Sequence, residues 1–457
     1  MTTTAAPAAT APTPSPSNTV SADGASSRRA VVIIGVIALV GLAIRIAFAR
    51  LVAPHLFGVG DGLTYHWLGN NLATGLGYVR PPQIPPFPPD RIATAEFPPL
   101  LPLIVSLLAR LGVEARITQA TILCGIGATA VFVIGMLGRR VAGNAVGIVA
   151  AAFAAVYPLL FQIDGAFMAE SLYVLLIASA LWTTYCALDN PKWWRFAMIG
   201  ACIGLAALTR QEAMLLALLI GLPTLIVVRA NRWRNAAALI VTAALVITPW
   251  TIRNWVTFHQ VIPVSNNAGS VMPGSNCDRT YFGGKDLGSW SFECILVAAA
   301  LTDSSIGSGT SEAQAYRRWS KVGTDYISDH KGELPRVVAV RLARTWGLWD
   351  PRNQVAFDAK EGRDRFWQSV GYVMFFGFVL LAGPGLVALR RQRRAIWPLC
   401  SVAVLVTLVT IISYGSTRLR VAAEPALLVA AATGAVALSR RLRSGQFGFT
   451  GAMSPPR

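Results

Sequence analysis

Asp61 is the residue whose position in the sequence most clearly suggests chemistry. It lies between two glycines in the stretch GVGDGLTYHWLGNNLATGLGY, residues 58–78, and no lysine or arginine is close enough in sequence to neutralise it. The glycines allow a tight turn that presents the carboxylate, and Tyr65 follows in a short amphipathic helix that lies against a membrane surface. Asp61 is therefore either the N-cap of this helix or a general base, and one role does not exclude the other.

Further charged residues are predicted to lie at the outer ends of apolar segments, where with Tyr65 they would bind substrate. They are Glu96, Asp164, Glu170, Arg210, Arg253, Arg418 and Arg420. Charges at a membrane boundary are costly, so pairs of them could simply neutralise one another. Because all the clusters fall on one predicted side, a shared site is the better explanation. Arginines can hold the phosphate of a lipid while a carboxylate activates an acceptor.

The composition indicates a protein with many membrane spans. Hydrophobic residues make up 54% of the 457 residues and charged residues only 14%, with a mean hydropathy of +0.52. The net charge of +18 would suggest nucleic acid in a soluble chain, but here the basic residues form short clusters between apolar runs. We therefore predict about ten spans, at residues 31–48, 117–138, 145–161, 168–188, 196–209, 212–228, 236–252, 370–389, 396–413 and 422–438.

The clusters of arginine and lysine predict the orientation, since such residues concentrate in cytoplasmic loops. They place both termini in the cytoplasm of a multi-pass plasma membrane protein and the acids named above outside. We predict a disordered tail at residues 1–27 and a helical bundle at 28–252, with a first external loop at 51–116 within it. An external subdomain follows at 253–369, then C-terminal helices at 370–440 and a second tail at 441–457.

The cysteines and histidines say little about cofactors. Four of the six cysteines lie in apolar runs, whereas Cys277 and Cys294 lie in the external segment. An oxidising compartment favours a disulfide between these two, and two unpaired thiols are the alternative. The four histidines show no metal-ligand spacing. No cofactor is predicted with certainty, although a divalent metal held by residues from several loops stays open.

Several degenerate stretches, in a specific order and on one predicted side of the membrane, carry a resemblance to a known family: GDGLTYHWLGNNLATGLGY, FPPLLPLI, AESLY, LTRQEA, PWTIRNW, YISDH and YGSTRLRVAAEP. Between about residues 30 and 440 the chain resembles the GT-C superfamily of membrane glycosyltransferases, close to the protein O-mannosyltransferase and lipid A aminoarabinose transferase type. The resemblance implies a bundle with juxtamembrane helices, a polyprenyl-phosphate sugar donor and Asp61 as the catalytic base. One departure is that Gly62 follows Asp61, where O-mannosyltransferases typically carry an Asp-Glu pair, so a protein acceptor is not implied.

The predicted function is therefore that of an all-α, GT-C-type membrane glycosyltransferase without nucleic-acid partners. It would move a sugar, with inversion, from a polyprenyl phosphate to an extracytoplasmic cell-wall glycan, lipid or protein. Two other classes stay open at this point. A transporter or lipid flippase would place ionisable residues at the bilayer midplane and show repeated halves, of which the sequence gives little sign. A non-catalytic scaffold would merely present the segment 253–369.

Overall fold

The computed structural model describes residues 17–56, 60–80, 92–303, 306 and 310–443, with side chains from residue 26 onward. Throughout these ranges the chain is helical, with nineteen α-helices and one isolated antiparallel bridge, between Val79 and Ala93. Residues 1–16 of the predicted N-terminal tail lie outside the described residues, and the first helix already begins at Ser17. Most of the predicted C-terminal tail also lies outside them.

The N-terminal half begins with one long helix and two short ones, which are followed by the helices of the bundle. The bounds are α1 Ser17–Leu51, α2 Asp61–Ala73, α3 Leu100–Arg110, α4 Arg116–Ala142, α5 Asn144–Val156, α6 Pro158–Gly165, α7 Glu170–Asp189, α8 Trp193–Ala207, α9 Leu222–Val227 and α10 Arg232–Phe258. With 11 residues, α3 is too short to cross a bilayer. Between α5 and α6 the chain bends by 51°, because Pro158 pushes the preceding Tyr157 out of the helical region, to φ −76° and ψ 113°.

The segment between α10 and the last three helices contains six shorter helices. They are α11 Ala268–Ser275, α12 Asp278–Phe282, α13 Phe292–Leu301, α14 Glu312–Asp329, α15 Leu334–Thr345 and α16 Pro351–Lys360. Ser311 caps α14 by accepting a hydrogen bond from the backbone N–H of Gln314. Trp319 is fully buried in a small core of this segment. The predicted disulfide between Cys277 and Cys294 is present, and it ties the start of α12 to α13.

The last three helices of the described residues are α17 Arg365–Arg391, α18 Trp397–Ile412 and α19 Glu424–Arg443. Helices α17 and α19 cross in close contact at two glycines. A Cβ atom at Gly385 would lie 1.9 Å from the carbonyl oxygen of Ala430, and one at Gly434 would lie 1.9 Å from that of Leu381. Small residues allow this approach of two backbones, which is common between membrane helices. Helix α19 is thereby held directly against α17.

The protein is a multi-pass membrane protein. Among the described residues, six helices can cross a bilayer by length and composition, and a seventh span is present if the bent pair α5–α6 counts as one. Three further apolar helical segments coincide with predicted spans but are shorter: α8, residues 211–227 and α18. Residues 211–227 are irregular, because a 3₁₀ turn and a π-helical turn precede α9. The total of ten spans therefore stays a prediction.

Candidate active site

Arg418 is the centre of the candidate site. It lies in the turn before α19, and its side chain is 9% exposed. Its Nε donates to the carboxylate of Glu170, and its Nη2 donates to Oδ2 of Asp61 at 2.5 Å. Its Nη1 lies 3.8 Å from Oε1 of Glu361. We call Asp61, Glu170, Arg210, Glu361 and Arg418 the Arg418 cluster. It brings together five segments that are distant in sequence.

Asp61 is the first residue of α2, and Gly60, in extended backbone, is the N-cap. The reading of Asp61 as the N-cap is therefore wrong, although an acid in the first turn still stabilises a helix. Its side chain is 33% exposed. The glycine that follows has a packing role, because a Cβ atom at Gly62 would lie 2.3 Å from the carbonyl oxygen of Ala166. Any larger residue would clash with this carbonyl next to Asp61.

Glu170 begins α7, and its side chain is fully buried. Its Oε1 accepts hydrogen bonds from Arg418 and, at 2.9 Å, from Nη1 of Arg210. Arg210 also binds Glu212, with 2.5 Å between Nε and Oε1. Burial alone would lower the pKa of Arg210, but Glu212 and Glu170 outweigh it and raise the pKa. Glu170 is thus a fixed anchor for two arginines.

Arg418 is held strongly in its charged form by the same neighbours. Burial disfavours the charge, yet the carboxylates of Asp61, Glu170 and Glu361 raise the pKa of Arg418 well above its ordinary value.

Tyr65 lies one helical turn after Asp61, is buried, and packs edge-to-face on Phe97. Burial, reinforced by Asp61 and Glu170, raises the pKa of its hydroxyl, so the phenol stays protonated.

Glu361 is a member of the site that sequence reasoning missed. It follows the last residue of α16 and precedes Gly362, whose φ of +84° requires glycine. Burial raises the pKa of Glu361, although Arg418 and Arg363 favour the ionised form. Glu361, Gly60 and Gly62 line a small pocket at the start of α2. An acid followed by glycine, as at Asp61, was the available signal, but the charged stretch AKEGRDR is typical of any exposed loop.

Two of the predicted site residues lie in separate buried ion pairs. Asp164 on α6 pairs with Arg45 on α1 at 2.7 Å, and each side chain is 1% exposed. Arg420 pairs with Glu424 at 3.2 Å, also in the interior. The guanidinium of Arg420 lies 3.6 Å from the ring centroid of Phe375. The structure therefore does not bring Asp164 or Arg420 into the Arg418 cluster.

Glu96 and Arg253 lie where the first loop meets the segment between α10 and α17. Arg80 bridges Glu96 at 2.8 Å and the buried Glu312 of α14 at 2.7 Å. Burial raises the pKa of Glu96 even though Arg80 opposes it. Arg253 donates to the backbone carbonyls of Thr94, at 2.8 Å, and Tyr78, at 3.1 Å. These contacts fix the first loop beside the site, but neither residue touches Arg418.

Within the described ranges, no group of three or more histidines, cysteines and acids is arranged to hold a metal ion. What the Arg418 cluster provides is a partly exposed carboxylate beside a buried guanidinium. Such a pair can accept a proton on one side and bind an anion on the other.

Comparisons with known proteins give the class to which this fold corresponds. The family model of dolichyl-phosphate-mannose-protein mannosyltransferases matches residues 96–252. The apo oligosaccharyltransferase of Archaeoglobus fulgidus matches with a TM-score of 0.54 and 16% identity, over 94% of this chain and 53% of that one. The oligosaccharyltransferase AglB of the same organism, in complex with an inhibitory peptide and a dolichol-phosphate, gives a TM-score of 0.53 and 15% identity, over 94% of this chain and 52% of AglB. This chain thus spans about half the length of AglB.

A weaker match is ArnT from Cupriavidus metallidurans bound to undecaprenyl phosphate, with a TM-score of 0.40 and 15% identity over 91% of this chain and 79% of ArnT. No curated protein sequence matches the chain. The chain has the fold of the GT-C membrane glycosyltransferases, which confirms the resemblance drawn from its motifs.

Proposed function

We propose that the protein transfers a sugar from a polyprenyl-phosphate donor to an acceptor hydroxyl outside the cytoplasm. The observation that carries the proposal is the contact of Arg418 with both Asp61 and Glu170. This contact places a proton acceptor beside a phosphate-binding group at the edge of a membrane bundle. The proposed reaction needs both groups. AglB, whose fold this chain shares, has a solved structure in complex with an inhibitory peptide and a dolichol-phosphate.

In the proposed reaction Asp61 accepts the proton of the acceptor hydroxyl while the oxygen of that hydroxyl attacks the anomeric carbon of the sugar. The bond between that carbon and the phosphate oxygen breaks, and the lipid phosphate leaves with the electron pair, so the sugar is inverted. A phosphate leaving group needs no strong general acid. The main requirements are therefore a base at the nucleophile and positive charge at the phosphate. Asp61 and Arg418 would supply them.

We further propose that the Arg418 cluster faces the extracytoplasmic space. Glu361 of the cluster comes from the same inter-helix segment, residues 253–369, as the disulfide between Cys277 and Cys294. Disulfides persist in oxidising compartments and are rare in the cytosol. The clusters of basic residues at the other ends of the helices support the same orientation.

The direct test is replacement of Asp61 by asparagine, which keeps the shape and removes the base. Purified protein is incubated with radiolabelled polyprenyl-phosphate mannose or arabinose and with delipidated cell envelopes as the acceptor source. We expect Asp61→Asn to lower turnover by about 10²–10⁴-fold. The matched control is Asp325→Asn on α14, whose side chain is 59% exposed and whose loss should leave turnover unchanged.

The outcomes separate the classes of function. The proposal is supported if the wild-type protein transfers label to the envelope acceptor and Asp61→Asn does not. Wild-type turnover in Asp61→Asn removes Asp61 from the role of base. Movement of the labelled lipid across a vesicle bilayer without transfer indicates a transporter or flippase instead.

A further inference from the structure

The proposed base, Asp61, and the proposed phosphate-binding group, Arg418, bind each other in this structure. Oδ2 of Asp61 accepts a hydrogen bond from Nη2 of Arg418 at 2.5 Å. While Oδ2 is engaged by Arg418, this oxygen is not available to take a proton from an acceptor hydroxyl. The charge of Arg418 is at the same time balanced by Asp61 and Glu170, with Glu361 nearby, which weakens its attraction for a phosphate. In this structure the contact between Asp61 and Arg418 therefore competes with both proposed roles.

Only one of the two carboxylates on Arg418 can be exchanged for another anion. Glu170 is fully buried and is held a second time by Arg210, at 2.9 Å. Asp61, in contrast, is 33% exposed and begins a short helix. Glu361, on the third side of the guanidinium, is farther away, at 3.8 Å, and 24% exposed. An incoming anion therefore reaches Arg418 on the side of Asp61 and Glu361, and Glu170 keeps the arginine in place meanwhile.

We propose that the lipid phosphate of the donor displaces Asp61 from Arg418, so that the base becomes free only when a donor is bound. The inference rests on the proposed function, since it assumes a lipid-phosphate donor. It predicts that the donor binds before the acceptor hydroxyl is activated. It also gives the site a means to limit proton abstraction, and thus transfer to water, when the donor phosphate is not seated on Arg418.

The displacement implies competition that can be measured without any turnover. In the wild-type protein the phosphate must break the contact between Asp61 and Arg418, and this cost reduces its apparent affinity. Removing the charge of Asp61 removes the competitor. A loss of the base should therefore tighten the binding of the lipid phosphate, the opposite of what a residue that only contacts the donor would do. As a guide to size, the coupling of two binding events in a protein typically changes affinity by about 5–150-fold.

The experiment measures the binding of undecaprenyl monophosphate, which carries no sugar, to the full-length protein in nanodiscs. Two variants remove the charge, Asp61→Asn and Asp61→Ala, and both should bind about tenfold more tightly than wild type. Asp61→Glu keeps the charge and should stay near wild type. Arg418→Gln should lose binding. Glu361→Gln is the matched control, because it removes a charge beside Arg418 without a direct hydrogen bond and should tighten binding much less.

The results distinguish failure of this inference from failure of the proposed function. If wild type binds the lipid phosphate and both uncharged variants bind it equally or more weakly, the displacement is wrong and the donor class still stands. If Glu361→Gln tightens binding as much as Asp61→Asn, the effect is general electrostatics and the displacement is again wrong. If neither wild type nor any Asp61 variant binds, the lipid-phosphate donor itself is wrong.

Discussion

The ion pair between Arg45 and Asp164 yields a prediction that separates a structural from a functional acid. From the sequence, Asp164 is expected to bind substrate, but the structure buries it against Arg45 at 2.7 Å, with 1% of each side chain exposed. Gly127 on α4 makes room for the pair, because a Cβ atom there would lie 2.2 Å from Oδ2 of Asp164. We therefore expect the pair to stabilise the packing of α1, α4 and α6 and to take no part in turnover.

The magnitude follows from the burial of both charges. At an effective dielectric constant of about 20, two unit charges about 4 Å apart attract each other by ~4 kcal/mol. Removing one partner leaves the other charge buried and uncompensated, which typically costs about 3–5 kcal/mol. Replacing both partners by uncharged residues of similar size costs much less, because no unpaired charge remains.

The variants are Arg45→Met, Asp164→Asn and the double variant, compared by apparent melting temperature of the purified protein and by turnover. Each single variant should melt roughly 5–10 °C below wild type. The double variant should melt above both single variants and retain turnover. Two results would refute the reasoning: a double variant less stable than either single one, or an Asp164→Asn protein that melts like wild type and has no turnover.

Three further predictions concern other parts of the chain. In a variant that lacks the other four cysteines, Cys277 and Cys294 should react with a membrane-impermeant maleimide on intact cells only after reduction, and labelling before reduction would contradict the disulfide. Burial raises the pKa of Glu96 above its ordinary value of 4.5. The folded state then binds more protons than the unfolded state just above pH 4.5, so the free energy of unfolding falls as the pH rises there. Glu96→Gln should flatten this part of the plot of unfolding free energy against pH. An unchanged slope would contradict the raised pKa of Glu96. Gly385→Ala should lower the melting temperature more than Gly383→Ala, since a Cβ atom at 383 meets nothing within 4 Å; equal effects would contradict the close crossing of α17 and α19.

Local patterns in the sequence were sufficient for the helical class and for part of the site. Apolar runs predicted where the helices lie, because hydrophobicity is a property of each segment by itself. The convergence of Asp61, Glu170 and Arg418 followed from assigning all three to the same ends of the helices. That assignment needs only the order of the spans, not the details of their packing.

The partners of the remaining charged residues depend on packing that no local pattern records. Asp164 pairs with Arg45 because α1 and α6 lie side by side, and nothing in either segment specifies that neighbour. Arg420 and Glu424 are four residues apart, a helical spacing that could have indicated a pair within one turn. In the sequence only the neighbouring glycine distinguishes Glu361 from other acids. Whether Glu361 belongs to the site depends on the position of Arg418 in the folded chain.

The contact between Asp61 and Arg418 joins positions 357 residues apart in the chain. During synthesis the N-terminal parts of a protein fold first, so helix α2 is in place long before the turn that carries Arg418 leaves the ribosome. The two groups can meet only after α17 and α18 have been inserted beside the earlier helices. Newly made chains thus have no complete Arg418 cluster until insertion is nearly finished, and under the proposed function we expect a product truncated before residue 418 to have no turnover.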